Sequence, residues 1–249
     1  MEIKPKQHLI RKHNHSRNDP FFWLHKKNMN LIKKINKHTE QSLCDTTDLQ
    51  TQIYDEIKNR IFEDDKTLTS RYHQYYYYTQ IKHNENYPKY YLLKSKSAKS
   101  QCYLDFERLS KKHSHFEIGM VRVSHDETFV LYSVDYTGDL KYTLYMKSLL
   151  STKSKQVVDF HIANDYVIHP NNESIYFIKS NNIKRKNKVY TLNLVTHKKT
   201  MIYEETKEEY SLSLSLSTDK KHIFLYSSKY ETDNVYLIED LKITPLFTQ

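Results

Sequence analysis

Serine, histidine and carboxylate are the residues from which hydrolytic sites are built, and this 249-residue chain holds many of each. A serine nucleophile needs an activating base, an acid that orients the base and an oxyanion hole, usually on a tight glycine-lined turn. The densest serines, in SLSLSLS from Ser211 to Ser217, alternate with leucine instead. That period of two belongs to a strand with small hydroxyls along one face. Only two glycines occur, Gly119 and Gly138. No G-x-S-x-G elbow, Walker loop or G-x-G-x-x-G fingerprint can be written with them. No catalytic residue and no cofactor-binding residue is therefore assigned, and no cofactor is expected.

Metal ligation gains no more support. His8, His13 and His15 are neighbours in sequence, as are His113 and His115, but none has the H-E-x-x-H spacing that aims two imidazoles from one helical face. Phe62-Glu63-Asp64-Asp65 gathers three carboxylates without the spacing or central glycine of an EF-hand loop. These residues read as solvated surface, and no metal ligand is assigned. Cys44 and Cys102 stand alone, with neither a C-x-x-C pair nor a disulfide framework.

The formal charge is +9 and the pI about 9.2. Such a balance favours polyanions in general, yet the lysines are spread along the chain. The densest group, Lys184, Arg185, Lys186 and Lys188, falls where a turn between strands is expected. Nucleic acid is accordingly not an expected partner. The first residues, MEIKPKQHLIRKHNH, contain no signal-peptide apolar core, and no apolar run approaches the roughly 18 residues of a membrane span. A cytoplasmic location without membrane attachment is expected.

Two helices are expected near the N-terminus. In RNDPFFWLHKKNMNLIKKI, Asp19 suits a cap and Pro20 the first helical position, with Phe21, Leu24, Leu31 and Ile35 on one face. The second starts at TDLQ, where Thr47 and Gln50 have capping-box spacing, and carries Leu49, Ile53, Ile57 and Ile61 as an apolar stripe. From about Tyr72 the period changes to two. QYYYYTQIKHNENYPKYYLL reads as strand, turn, strand, with Tyr75 and Tyr77 on one face and Tyr76 and Tyr78 on the other.

That grammar recurs. VSHDETFVLYSVD, IHPNNESIYFIKS and LSTDKKHIFLYSS each place a polar turn (Asp126, Asn171, Asp219) before an aromatic and aliphatic strand. Tyr145, Tyr190 and Tyr236 follow at about 45-residue intervals. Four short strands per 40 to 50 residues is the signature of propeller blades. The 22 tyrosines then read as sheet packing rather than as a stacking platform for bases. The expected fold is mainly β: an N-terminal helical extension, residues 1–70, then a partial β-propeller of about four blades, residues 71–249.

Several segments carry a family likeness. DPFFWL, Asp19 to Leu24, resembles the DPY-x-WL opening of the prolyl oligopeptidase family of serine peptidases, especially its oligopeptidase B branch, with Phe21 in place of tyrosine. YDEIKNRIFEDD, Tyr54 to Asp65, resembles the family's YEEIKGRIKEDD, with Asn59 where glycine is common. YYYYT, YSVDYTGDLKYTL from Tyr132 to Leu144, and YEETKEEYSLSLSLSTD from Tyr203 to Asp219 continue the likeness. It departs at Asn181 to Val189, where the family has a longer connection, and at His169-Pro170, where a tryptophan-containing turn is usual.

The resemblance implies a two-part enzyme, a seven-bladed propeller over an α/β-hydrolase domain, that cleaves short peptides after Lys or Arg. Its catalytic serine, aspartate and histidine belong to the hydrolase domain, which these residues do not include. The chain alone is therefore expected to be inactive, a truncated propeller that gates short peptides. Its partner would be a hydrolase domain or chain docked on helices 20–61. The alternatives are a free-standing β-propeller interaction module and a non-functional truncated remnant.

Overall fold

A computed structural model describes residues 3–25, 28–151 and 153–248. The chain forms two compact units, Met1–Phe62 and Glu63–Gln249.

The first unit opens with a hairpin that sequence periodicity does not reveal, β1 (Leu9–Lys12) against β2 (His15–Asn18). Its turn residues His13 and Asn14 take positive φ. The helix expected from Asp19 does not run on to Ile35. The Asp19 carboxylate accepts the Phe21 amide at 3.1 Å, but only a 3-10 turn, Phe22–His25, follows. Phe22 stacks on His8 with ring centres 3.8 Å apart, which ties this turn to the residue before β1. A separate helix α1 (Met29–Leu43) starts under an Asn28 cap that accepts the Leu31 amide. Phe21 and Leu24 thus do not share a helix with Leu31 and Ile35.

Helix α2 (Thr47–Arg60) lies where the stripe predicts, but its cap is Thr46 rather than Thr47. The Thr47 hydroxyl turns back to the Cys44 carbonyl at 2.8 Å. The Gln50 side chain donates to the Thr46 hydroxyl, so the box closes one residue early and between side chains. No described residue among 3–62 is buried.

The second unit is four antiparallel sheets in chain order. The first contains β3 (Asp65–Lys66), β4 (Ser70–Tyr72), β5 (Tyr75–Ile81), β6 (Lys89–Leu93) and β7 (Gln101–Asp105), with β3 and β4 both paired to β5. A short helix α3 (Phe106–Ser110) follows. The second sheet is β8 (Glu117–Val123), β9 (Phe129–Asp135), β10 (Tyr142–Ser148) and β11 (Ser154–Gln156). The third is β12 (Tyr166–Ile168), β13 (Ser174–Ser180), β14 (Lys186–Asn193) and β15 (Lys199–Glu204). The fourth is β16 (Ser211–Leu216), β17 (Ile223–Lys229), β18 (Thr232–Glu239) and β19 (Lys242–Phe247). Each is a meander of the kind that builds a propeller blade. The family departures at 169–170 and 181–189 leave the third sheet four-stranded.

Apolar clusters fill the spaces between successive sheets, and strand alternation builds them. Val130, Tyr132 and Val134 of β9 pack toward the first sheet, while Leu131 packs toward the third. In β13, Ile175 and Phe177 face the second sheet, and Tyr176 and Ile178 the fourth. Strands buried on both faces need apolar residues at every position, which explains runs such as FVLYSVD.

The repeated tyrosines occupy one register. Tyr145 lies opposite Tyr132, Tyr190 opposite Phe177, and Tyr236 opposite Leu225. The first two pairs stack, with centroids 5.2 and 5.8 Å apart. In the first sheet Tyr75 and Tyr77 join the cluster against the second sheet, and Tyr78 stacks on Tyr91 at 4.8 Å. The rings are cross-strand packing, each pair worth roughly 0.5–1.5 kcal/mol beyond its buried area.

Candidate functional site

The first strands of the sheets, β4, β8, β12 and β16, line a common cavity of about 810 Å³. Tyr72 and Ser70 come from β4, Arg122 and Val123 from β8, Ile168 from β12, and Leu214 and Ser215 from β16. The volume is that of a small-ligand or short-peptide site. Its charged lining is cationic: Arg122 and Lys220, with His125 between them in sequence. The Lys220 ammonium sits 3.6 Å from the centre of the Tyr72 ring, so the fourth sheet reaches the first at the cavity. His125 meets the Tyr72 hydroxyl through Nδ1 at 3.4 Å and the Ile168 carbonyl through Nε2 at 3.2 Å.

The turns that frame the cavity are held by polar side chains. Glu127 has φ +55° and is buried, and its carboxylate accepts the Gln74 amide at 2.7 Å and the Tyr77 hydroxyl at 3.0 Å. Burial raises the Tyr77 hydroxyl far above the usual phenol range, and the Glu127 carboxylate adds to the shift. Gly119 serves a close approach: a Cβ there would overlap Asn164 Oδ1 and Ser133 Oγ. The Met120 amide donates to both oxygens, at 2.8 and 3.0 Å, across a bulge in β8.

The basic group Lys184–Lys188 is absorbed by structure. Arg185 donates to the carbonyls of Glu205, Lys207 and Tyr210, at 2.8 to 3.2 Å. Lys184 pairs with Asp139, Lys186 with Asp165, and Lys188 with Glu204. Burial raises the Asp165 carboxyl even with Lys186 3.0 Å away. Cations engaged in this way are poor counter-charges for a polyanion.

The acidic group before the first sheet is structural too. Asp64 accepts the His83 amide at 2.7 Å and Glu63 the Asn84 amide at 3.2 Å, which caps the turn between β5 and β6. The SLSLSLS segment is strand β16 and its continuation, as its alternation predicts. Among the described residues of the four sheets, no serine hydroxyl bonds a histidine ring, so none has the base that nucleophilic chemistry needs. The histidines do not act as the sequence clusters suggest: His8 stacks on Phe22, and His113 on Tyr136 with centroids 4.0 Å apart. His115 is the exception. The fold sets it beside Glu117 and the buried Asp135, with ligand atoms within 4.8 Å of one another. No sequence spacing signals this, because Asp135 arrives through strand pairing.

Residues 2–245 match the family described as the prolyl oligopeptidase N-terminal beta-propeller domain. The chain belongs to the prolyl oligopeptidase family.

Among curated relatives of this propeller, Protease 2 of Moraxella lacunata is 22% identical, over 94% of this chain and 36% of its own length. Two solved oligopeptidase B structures are similar in fold. The closed, antipain-bound enzyme of Trypanosoma brucei superposes with a TM-score of 0.82 at 21% identity, over 98% of this chain and 39% of that one. The enzyme of Leishmania major gives 0.83 at 19% identity, over the same shares. The chain spans a little over a third of the length of these relatives. No helix among the described residues is long and apolar enough to cross a membrane.

Proposed function

We propose that this chain is the propeller region of an oligopeptidase B-like serine endopeptidase. It admits short peptides to a hydrolase domain outside these 249 residues, and it has no peptidase activity alone. The observation that carries the reading is the uncovered apolar stripe of α2. Leu49, Ile53, Ile57 and Ile61 recur every fourth residue, yet each is 47 to 60% exposed. Phe21, Leu24, Ile32 and Ile35 are exposed as well. Each such side chain gains about 1.5–3 kcal/mol on full burial, so this stripe is a surface made to be covered.

The hydrolase domain is the proposed cover, docking on helices 20–61. The cavity framed by β4, β8, β12 and β16 then becomes part of the entry path, and its size admits an extended peptide but not a folded domain. The engaged cations of Lys184–Lys188 weigh against the alternative of a basic polyanion-binding module. The test is hydrolysis of fluorogenic short peptides carrying Arg or Lys before the scissile bond. The chain alone is expected to be silent. Turnover that survives purification and a serine-directed inactivator would overturn the reading.

A further inference from the structure

We infer that His115, Glu117 and Asp135 form a binding site for a divalent transition-metal ion of the zinc class. The inference is independent of the peptidase reading.

Strand register builds the cluster. Glu117 opens β8 and pairs directly with Asp135 at the end of β9. His115 lies in the bend just before β8, which brings its ring beside the pair. One ligand atom from each of the three lies within 4.8 Å of the others. Bonds of ~2.0–2.2 Å to a common ion need ligand atoms ~3–3.5 Å apart. His115 is exposed and its ring can move to close that gap, while Glu117 is held by a hydrogen bond and Asp135 is fully buried.

Two carboxylates facing each other across a strand pair repel, and here no cation relieves them. The neighbouring lysines, Lys141 and Lys184, are engaged with Asp139 at 3.1 and 3.8 Å. Among the described residues, neither Glu117 nor Asp135 enters an ion pair, and the His115 ring has no hydrogen-bond partner. A divalent ion would balance both charges and use that imidazole.

The supporting bonds are those of an oriented ligand set. The Tyr142 hydroxyl donates to Glu117 Oε1 at 2.6 Å, which leaves Oε2 for an ion. Asp135 Oδ1 accepts the Thr137 amide and hydroxyl, at 2.8 and 2.7 Å, and Oδ2 accepts the Leu140 amide at 2.8 Å. The Lys141 backbone amide also bonds this carboxylate, so the Asp135 side chain is held in one orientation. Gly138, at φ +75°, supplies the left-handed backbone that carries the turn past the His115 ring. One imidazole with two carboxylates suits Zn²⁺ or Co²⁺ better than Ca²⁺ or Mg²⁺, which prefer all-oxygen sets. Bound there, the ion would pin the start of β8 to the turn after β9.

The experiment is titration of the chelator-treated full chain with Zn²⁺ by calorimetry, and with Co²⁺ by visible absorption. One saturable equivalent is expected, with a Co²⁺ d–d band. His115→Ala and Glu117→Gln should each weaken binding at least tenfold and abolish the band. His113→Ala, in the same segment but outside the cluster, should bind as wild type. Both test positions are exposed, and circular dichroism checks that the variants remain folded. Absence of saturable binding, or equal binding by wild type and the two cluster variants, would overturn the inference.

Discussion

The Glu127 carboxylate, in the turn between β8 and β9, accepts the Gln74 amide of the preceding sheet at 2.7 Å. One sheet later the relation recurs: Asn172 Oδ1 accepts the His125 amide at 2.7 Å. Glu127, Asn172 and Lys220 occupy matching turn positions, at φ +55°, +60° and +59°. A chain nearly without glycine thus places polar residues in left-handed turns and uses their side chains to tie sheet to sheet. The strain of such a residue, about 1–2 kcal/mol, is offset by the bonds that its side chain makes.

Replacing Glu127 by alanine is expected to remove about 1–3 kcal/mol of stability, because the Gln74 amide and Tyr77 hydroxyl lose a buried acceptor. Urea unfolding measures it. A loss below about 0.5 kcal/mol would show that water serves these donors equally well.

Gly119→Ala is expected to be more damaging than its size suggests. The added methyl overlaps Asn164 Oδ1 and Ser133 Oγ, which both accept the Met120 amide, so the bridge from β8 to the third sheet must shift. Overlap with these two side chains and the lost bonds together predict about 2–4 kcal/mol. Gly138→Ala, strained by its φ of +75° but uncrowded, should lose less. The reverse order in thermal melts would contradict the assignment.

Glu205 predicts a pH dependence. Burial by itself would raise this carboxyl, but the Ser227 hydroxyl, the Lys207 amide and the Tyr203 hydroxyl donate to it and hold it below the ordinary range. A depressed folded-state value stabilises above the unfolded value of about 4.3 and is lost as pH falls through the folded one. The stability gap between wild type and Glu205→Gln should therefore be wide at pH 7 and should narrow at pH 3. A gap independent of pH would show that the carboxylate charge is not what Ser227 recognises.

Much of the propeller was legible because its signals are local and repeated. The turn residues Asp126, Asn171 and Asp219 and the tyrosines at 145, 190 and 236 mark the second, third and fourth sheets, and the register bears them out. The N-terminal part was less legible. The Asp19-Pro20 signal for a helix start was answered by a 3-10 turn, because Phe22 is drawn onto His8, a contact absent from any periodicity. The β1–β2 hairpin pairs LIRK with HSRN, mostly polar residues with no apolar alternation to reveal it. The basic run at 184–188 was expected at a turn between strands, but its partners were not legible, because the fold supplies Asp139, Asp165, Glu204 and three carbonyls from distant positions. The cluster of His115 with Glu117 and Asp135 was hidden for the same reason.

The central claim concerns the stripe of α2, and its most direct measurement is binding. Purified chain would be titrated with a recombinant hydrolase domain of an oligopeptidase B in an analytical ultracentrifuge. The account predicts a 1:1 complex that is lost, at least tenfold in affinity, in the double variant Ile53→Asp and Ile57→Asp, while the β-rich circular dichroism is unchanged. No complex with the wild-type chain, or equal binding by the double variant, would contradict it.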